Sequence, residues 1–318
     1  MKKAFIRKII SNQYTIVDLD TREEFIAQAR GKLRYMKLDQ DDVFNKQLTR
    51  KTKKDTKIIQ ISPKIGDKVY YALDHDQIFI EEICPRNNEL ERPDVANVDQ
   101  VLLVFSAIRP DFSFYLLDKF LVILEQEGLK PMIVISKIDL IDEIPLKSIQ
   151  KDMLYYEKIG YQVYYVNSKQ KIGFDVLENV FKHKITVLAG QTGVGKSTLL
   201  NALMPHLGIK TQEISDALGR GKHTTRHSEL YEFNGGFIAD TPGFSKIEFT
   251  IFYKDMLKEY YPDFIKLSAA CKFQNQCLHI HEPKCAVKSA VENQEILQSR
   301  YDNYLQFIQE IENQKIKY

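Results

Sequence analysis

The sequence predicts a multidomain α/β protein in three parts: an N-terminal OB-fold β-barrel, an α/β domain with a mainly parallel sheet, and a C-terminal metal-binding segment ending in a long helix. Three observations carry this. Short β-rich segments fill the first eighty-odd residues, strands and helices then alternate around a glycine-rich loop, and three cysteines cluster with a histidine near the end. A chain of 318 residues exceeds the usual single core. Its 44% hydrophobic and 28% charged residues suit a folded protein. The formal net charge of +2 does not by itself indicate a nucleic-acid partner, but between Lys32 and Lys57 nine Lys/Arg stand against four Asp/Glu.

The N-terminus "MKKAFIRKIISNQYTIVDLD" begins basic, yet its apolar residues are interrupted too often for a signal-peptide core. No apolar run approaches the roughly 18–20 residues of a spanning helix. The expectation is a cytoplasmic protein with reduced thiols and no membrane partner. The segments "YTIVDLD", "EEFIAQA", "KIIQISP", "GDKVYYALD" and "QIFIEEIC" are rich in β-branched and aromatic residues between turn formers. Five short strands in residues 1–83 suggest a Greek-key barrel of the OB type. The basic stretch "FNKQLTRKTKKDTK" is then a long loop, either solvated or in contact with nucleic acid.

Residues 84–97 are polar and proline-punctuated and read as a linker. From 98 to 257 the pattern is strand "QVLLVFSA", a helix, strand "PMIVIS", helix 148–159, strand "YQVYYV", helix 174–182 and strand "KITVLAG". Continuously apolar strands alternating with helices indicate a parallel sheet covered on both faces. Residues 258–318 hold the cysteine cluster and an amphipathic helix whose stripe is Leu297, Tyr301, Tyr304, Ile308 and Ile311. That stripe is expected to pack on its own protein.

"GQTGVGKS", Gly190–Ser197, fits G-x-x-x-x-G-K-[ST] between a strand and a helix, the context this phosphate loop requires. Its glycines let backbone N–H groups face the phosphates, Lys196 reaches the β- and γ-phosphates and Ser197 ligates Mg²⁺. The loop does not choose the base. "FIADTPGF" ends an apolar strand at Asp240, a carboxylate suited to hold Mg²⁺ through water, with Gly243 offering its N–H to a γ-phosphate. Between the two, Thr224 or Thr225 in "GRGKHTTRHSELYEF" could supply a hydroxyl to Mg²⁺ from a mobile switch segment.

"VISKIDLIDE" delivers Ser136, Lys137 and Asp139 from a strand to the carboxyl edge of the sheet, where ligands of open α/β folds bind. Asp139 can accept from guanine N1–H and the exocyclic amine, a donor pair adenine lacks; Lys137 would lay its stem along the base. The next strand ends "YYVNSKQKIGFDVL", a loop able to support the base from the other side. These base-reading loops precede the phosphate loop, so the elements of a GTPase are present in cyclically permuted order. A parallel sheet tolerates this, because each loop reaches the same edge whatever the order of the strands. The rival within enzymes is an ATP-using protein with an accidental Ser-Lys-Ile-Asp.

"CKFQNQCLHIHEPKC" offers Cys271, Cys277, His279 and Cys285, a Cys₃His set for one structural Zn²⁺, with His281 a rival for the imidazole position. Cys84 reads as a small apolar residue.

Taken in order, the barrel, guanine loops, "GQTGVGKST", "GRGKHTT", "DTPGF" and "CKFQNQCLHIHEPKCAV" resemble the RsgA (YjeQ) family of circularly permuted GTPases over essentially the whole chain. The resemblance implies GTP hydrolysis to GDP, stimulated by the small ribosomal subunit, and a role in late maturation of that particle. It implies phosphate and Mg²⁺ binding by Gly190, Gln191, Thr192, Gly193, Val194, Gly195, Lys196, Ser197 and Thr198. Lys137 and Asp139 would read guanine, with Asn167 and Ser168 as the supporting loop. Lys196, His223 and Thr225 would be catalytic, His223 positioning the attacking water because Phe244 stands where Ras-like proteins have Gln. The partners implied are the small subunit and its rRNA, and the chain is expected to be monomeric. Three departures stand out: Ser136 replaces the usual Asn, Asn167-Ser168 replaces Ser-Ala, and Cys271 and Cys277 are one residue further apart. The shorter Ser136 is expected to loosen the base loop or leave a gap for water. The alternative reading is an RNA-binding scaffold with a vestigial nucleotide site.

Overall fold

A computed structural model describes residues 1–30, 35–37, 58–60, 62–90, 94–207, 227–240 and 253–313. Two compact units form: Met1–Gln100 with Glu178–Leu188 and Lys210–Phe244, and Val101–Leu177 with Ala189–Ile209 and Ser245–Tyr318.

In the first unit, β1 (Lys2–Ile10), β2 (Gln13–Asp18) and β3 (Glu24–Ala29) are followed by a small ladder of β4 (Tyr35–Lys37) and β5 (Ile58–Gln60), then β6 (Lys68–Asp74) and β7 (Gln77–Ile83). β1 pairs with β2, β2 with β3, β3 in parallel with β7, β7 with β6 and β6 back with β1, which closes a five-stranded barrel. Closure removes exposed sheet edges. Ala4, Ile6, Ile16, Ala27, Val69 and Ile80 point inward and are fully buried. Four of the five expected strands line the barrel; of the fifth, at 57–63, Ile58–Gln60 pairs in the small ladder. The barrel strand that sequence reasoning missed is β1, whose lysines and arginine obscure its apolar alternation. A register shift between Ile6 and Lys8 bends it. Its far end, Lys8–Ile10, pairs with β14 (His227–Phe233), itself antiparallel to β15 (Gly236–Asp240). The charged loop 44–57 lies outside the described residues.

Residues 84–90 and 94–97 are built into this unit. Arg86 is buried and pairs with buried Asp67 through two contacts of 2.7 Å, while β8 (Glu89–Leu90) pairs with β9 (Val95–Ala96). β13 (Ile185–Ala189) lies parallel to β15.

In the second unit, β10 (Gln100–Ser106), β11 (Pro131–Ser136) and β12 (Gln162–Tyr165) are parallel, with Ser106 level with Ser136. β10 and β11 are buried along their whole length, as their unbroken apolar sequences require. Helix α1 (Phe114–Gln126) starts at Ser113, whose hydroxyl accepts from Leu116 N–H, and buries Leu117, Phe120, Leu121 and Leu124. Helix α2 spans Glu143–Ile159, five residues earlier than expected, because Pro145 is tolerated in a first turn; Gly160, at φ 117°, ends it. The expected helix 174–182 is broken into α3 (Phe174–Leu177) and a 3₁₀ turn, Glu178–Phe181. The carbonyls of Glu178 and Val180 accept from the side chains of Asn234 and Gln100, at 2.7 and 2.8 Å.

The chain continues through α4 (Lys196–Leu203), α5 (Pro262–Ser268), α6 (Ala286–Glu292) and α7 (Gln298–Asn313). Tyr301, Tyr304, Ile308 and Ile311 of α7 are buried, as their spacing predicts. So is Arg300, fully, between the rings of Tyr156 and Tyr261. Its guanidinium grips Asp263 of α5 at 2.9 Å twice and Asp118 of α1 at 2.5 Å. Tyr155 donates to Asp263, and Tyr156 and Asn303 to Asp118. A buried charge is tolerated only when paired and hydrogen-bonded, and this cluster fixes α7 against α1 and α5.

Candidate functional site: phosphate loop, base loop and cysteine cluster

β13 runs into the glycine loop, and the loop's shape follows from its glycines. Gly190 has φ 133°, and a Cβ there would lie 2.1 Å from the Val104 carbonyl oxygen of β10. Gly195, at φ 96°, precedes α4 and supplies no side-chain cap. The first N–H groups of a helix have no intrahelical acceptor, so they remain available to an anion at the positive end of the helix. Lys196 folds across the loop and donates to the carbonyls of Gly190 and Gln191, both at 2.7 Å. Burial pulls its pKa down to about 8.

That depression has a sign. Burial disfavours the charged ammonium, a cost fully present below about pH 8 that fades as the pH rises above about 8 and the proton leaves. A bound polyphosphate reverses the preference. GDP binding at about pH 8.5, where the GDP phosphates are fully ionised, is therefore expected to take up a fraction of a proton. Calorimetry in buffers of different ionisation enthalpy reads this directly; proton release on binding would refute it.

Ser136 gives the clearest departure from the sequence expectation. Its buried hydroxyl lies 2.5 Å from the Val194 carbonyl oxygen and 3.1 Å from that of Phe105. The hydroxyl carries one hydrogen, and the shorter geometry assigns it to Val194. No gap for water opens, because the phosphate loop comes close enough for the short side chain to reach. Lys137, at φ 56°, adds a second tether: its ammonium donates to Gly193 O at 2.6 Å and to Arg109 O. Burial, then the Arg109 charge, lowers its pKa. Arg109 gave no sequence signal. Ser136→Ala leaves the Val194 carbonyl without this donor, a loss of about 1 kcal/mol. GDP affinity should fall about fivefold with the guanine-over-adenine ratio unchanged, as competition titrations would show.

Asp139 is exposed just beyond these tethers. Asn167 is buried, and its side chain is spent on its own turn: its oxygen accepts from Lys169 and Gln170 N–H at 3.0 and 3.2 Å, and its nitrogen donates to Gln170 Oε1. Its backbone pairs with Ile172 in both directions. Asn167 thus shapes the loop, and Ser168 beside it is half-buried. Asp240 ends β15 opposite Glu229 in register. His223, Thr224, Thr225, Gly243 and Phe244 lie outside the described residues.

Cys271, Cys277, His279 and Cys285 come together, all buried, with ligand atoms within 4.8 Å of one another. His279 Nδ1 lies 3.3 Å from Cys285 Sγ and 3.7 Å from Cys271 Sγ, and those two sulfurs are 3.9 Å apart. Ligands about 2.0–2.3 Å from a tetrahedral zinc stand roughly 3.3–3.8 Å apart, so the cluster fits a closed site. The His279 Nε2 lies 3.4 Å from Ser268 Oγ, which leaves Nδ1 for metal. Burial lowers the His279 pKa to about 4, keeping the imidazole neutral. His281 is exposed and outside the cluster, which decides between the two histidines. A 3₁₀ turn, Gln274–Gln276, lies between Cys271 and Cys277.

Parallel strands, a phosphate loop tied to an earlier base-reading loop, and a closed barrel ahead of both define a circularly permuted P-loop GTPase. The family model of the RsgA GTPase matches residues 83–250. The chain is 52% identical, over the full length of both, to the small ribosomal subunit biogenesis GTPase RsgA of Onion yellows phytoplasma (strain OY-M). It is 44% identical to the protein of that name from Bacillus subtilis (strain 168), again over both full lengths. Among solved structures, YloQ, a circularly permuted GTPase, is 40% identical with a TM-score of 0.77, covering 100% of this chain and 97% of that one. YjeQ from Thermotoga maritima is 34% identical with a TM-score of 0.79 and 99% coverage of both. The chain belongs to the RsgA GTPase family. It is a GTP hydrolase that uses GTP, GDP and Mg²⁺, with a cysteine–histidine cluster fitted to one structural zinc.

Proposed function

We propose that this GTPase binds the small ribosomal subunit, assists its late maturation, and hydrolyses GTP faster on that particle. The observation that carries the reading is the full-length 52% identity to a relative named for small-subunit biogenesis, with an intact phosphate loop. The vestigial-site alternative sits poorly with a loop whose Lys196, Ser136 and Lys137 contacts are all formed. On this reading residues 1–83 form an rRNA-facing barrel, 84–97 join it to the GTPase domain of 98–257, and 258–318 form the zinc-binding part. The chain works as a cytoplasmic monomer. Among the described residues no helix is long and apolar enough to cross a membrane.

Lys196 exchanges its loop carbonyls for the β- and γ-phosphate oxygens, and the loop N–H groups stabilise charge developing on them. Ser197, Thr225 and, through water, Asp240 would hold Mg²⁺, which would supply neutralisation of phosphate charge. His223 orients the attacking water, and Gly243 donates to the γ-phosphate. Asp139 selects guanine with Ser168 behind it.

GTP turnover measured alone, with small subunits and with large subunits tests this. Small subunits should raise kcat by an order of magnitude or more, and large subunits should leave it unchanged. Stimulation by neither particle would sink the ribosomal reading while leaving the GTPase assignment intact.

A further inference from the structure

Within the first unit, a cleft of about 250 Å³ is lined by residues that none of the nucleotide motifs includes. Its floor is apolar. Phe5 of β1 and Phe237 of β15 meet edge to face, with ring centroids 4.8 Å apart, and Ile185 of β13 lies beside them. Its rim is basic, with Arg22 from the β2–β3 turn, Lys68 at the start of β6, and His183 and Lys184 before β13. Asp99 is the one carboxylate among the lining residues, and one of its oxygens already accepts the Ile185 N–H at 2.7 Å. The Lys184 ammonium is engaged by Gln100 Oε1 at 2.9 Å. No hydrogen bond or ion pair engages the side chains of Arg22, Lys68 or His183 among the described residues.

The sequence explains why this rim exists. Arg22 and His183 both adopt left-handed backbone, at φ 63° and 58°, and so does Gly235 at the lip, at φ 74°. Such conformations cost non-glycine residues energy, and here they belong to tight turns that bring the Arg22 guanidinium and the His183 imidazole to one opening. At Gly235 a Cβ would meet nothing within 4 Å, so the mouth is open on that side. The volume is below the roughly 300–1,000 Å³ of drug-sized ligand pockets, which suits one ring system and not an extended ligand.

We propose that this cleft is a second nucleotide-unit site, distinct from the GTP loops, that takes one nucleobase against Phe5, Phe237 and Ile185 and its phosphate at Arg22, Lys68 and His183. An aromatic and aliphatic surface beside a positive rim is the arrangement by which proteins hold unpaired bases without hydrogen-bond readout. The shared chemistry is a nucleoside monophosphate, either free or as an unpaired residue of single-stranded RNA. The site goes beyond the ribosomal reading, and its failure would leave ribosome-stimulated GTP turnover untouched.

The test uses full-length, zinc-loaded protein saturated with GDP, so that the guanine site is filled. Binding of a labelled oligouridine of about eight nucleotides is followed by anisotropy across a salt series. Arg22→Glu/Lys68→Glu should weaken it by about tenfold or more and flatten the log–log salt slope by roughly 0.7, one phosphate contact on a single strand. Lys147→Glu/Lys151→Glu, the same charge change on exposed positions of α2, should cost less than about twofold. Phe237→Leu should weaken binding with the salt slope kept, and His183→Ala, which touches only the rim, serves if that variant misfolds. Competition by free uridine monophosphate assigns the site to free nucleotides, and its absence assigns it to RNA; both support the proposal. Failure of the oligouridine to bind, an equal loss in both charge-reversal pairs, or displacement by an acidic peptide but not by uridine monophosphate overturns it.

Discussion

Arg300→Met is expected to cost about 3–5 kcal/mol of folding stability, measured as the shift in urea unfolding. The guanidinium is fully buried and is the positive partner of two buried carboxyl groups, Asp118 and Asp263. Burial pushes the Asp118 pKa up, against the pull of Arg300 and its hydrogen-bond donors. For Asp263 burial also acts upward, but Arg300 and Tyr155 outweigh it and hold the pKa below the usual carboxylate value. Asp263 therefore contributes stability that is present above its unfolded pKa and lost as the pH falls below it. Methionine fills the volume but leaves both carboxyls without a counter-charge. Their pKa values should then rise further, so the variant should gain more stability than the parent as the pH drops from about 7 to about 5. Because the cluster ties α7 to α1 and α5, zinc release to a chelator should also accelerate. A loss below about 1 kcal/mol with no pH trend would show that the cluster is not needed.

Asp139→Asn should weaken GTP and GDP binding by about 10²–10³-fold and confer binding of xanthosine triphosphate. The carboxylate can accept from two guanine donors, and hydrogen bonds to a charged group contribute about 1.5–3 kcal/mol each. Asparagine brings a donor of its own, which clashes with guanine and suits the xanthine carbonyl. The substitution should leave the loop intact, because Ser136 and Lys137 tie it to the phosphate loop through Val194, Gly193 and Arg109, and Asp139 is exposed beyond those ties. Unchanged GTP affinity would show that Asp139 does not read the base.

Some elements were legible because one local rule governs each. The phosphate loop announces itself, since only glycine tolerates φ 133° with the Val104 carbonyl 2.1 Å from where a Cβ would stand. The apolar runs of β10 and β11 give parallel, fully buried strands. The cysteine spacing gave the metal set but not the choice of imidazole, because His279 and His281 differ only in which way the folded loop turns them. β1 was missed since Lys2, Lys3, Arg7 and Lys8 come in adjacent pairs, which breaks the period-two pattern by which a strand is recognised. Arg300 was invisible for a different reason: an arginine on an amphipathic helix reads as surface until two carboxylates from other helices are brought to it.

The sequence by itself determined the family architecture, the permuted order of base-reading and phosphate-binding loops, and the chemistry of the zinc ligands. Those follow from residue type and short-range spacing, which survive without knowledge of distant contacts. Only the tertiary structure decided that Ser136 reaches Val194 directly, that Asn167 serves its own turn, and that His279 is the buried imidazole. It alone showed Arg300 holding α7 to its neighbours. Each of these depends on where two chain segments far apart in sequence come to rest, to within a few tenths of an ångström, and hydrogen bonding is decided at that scale.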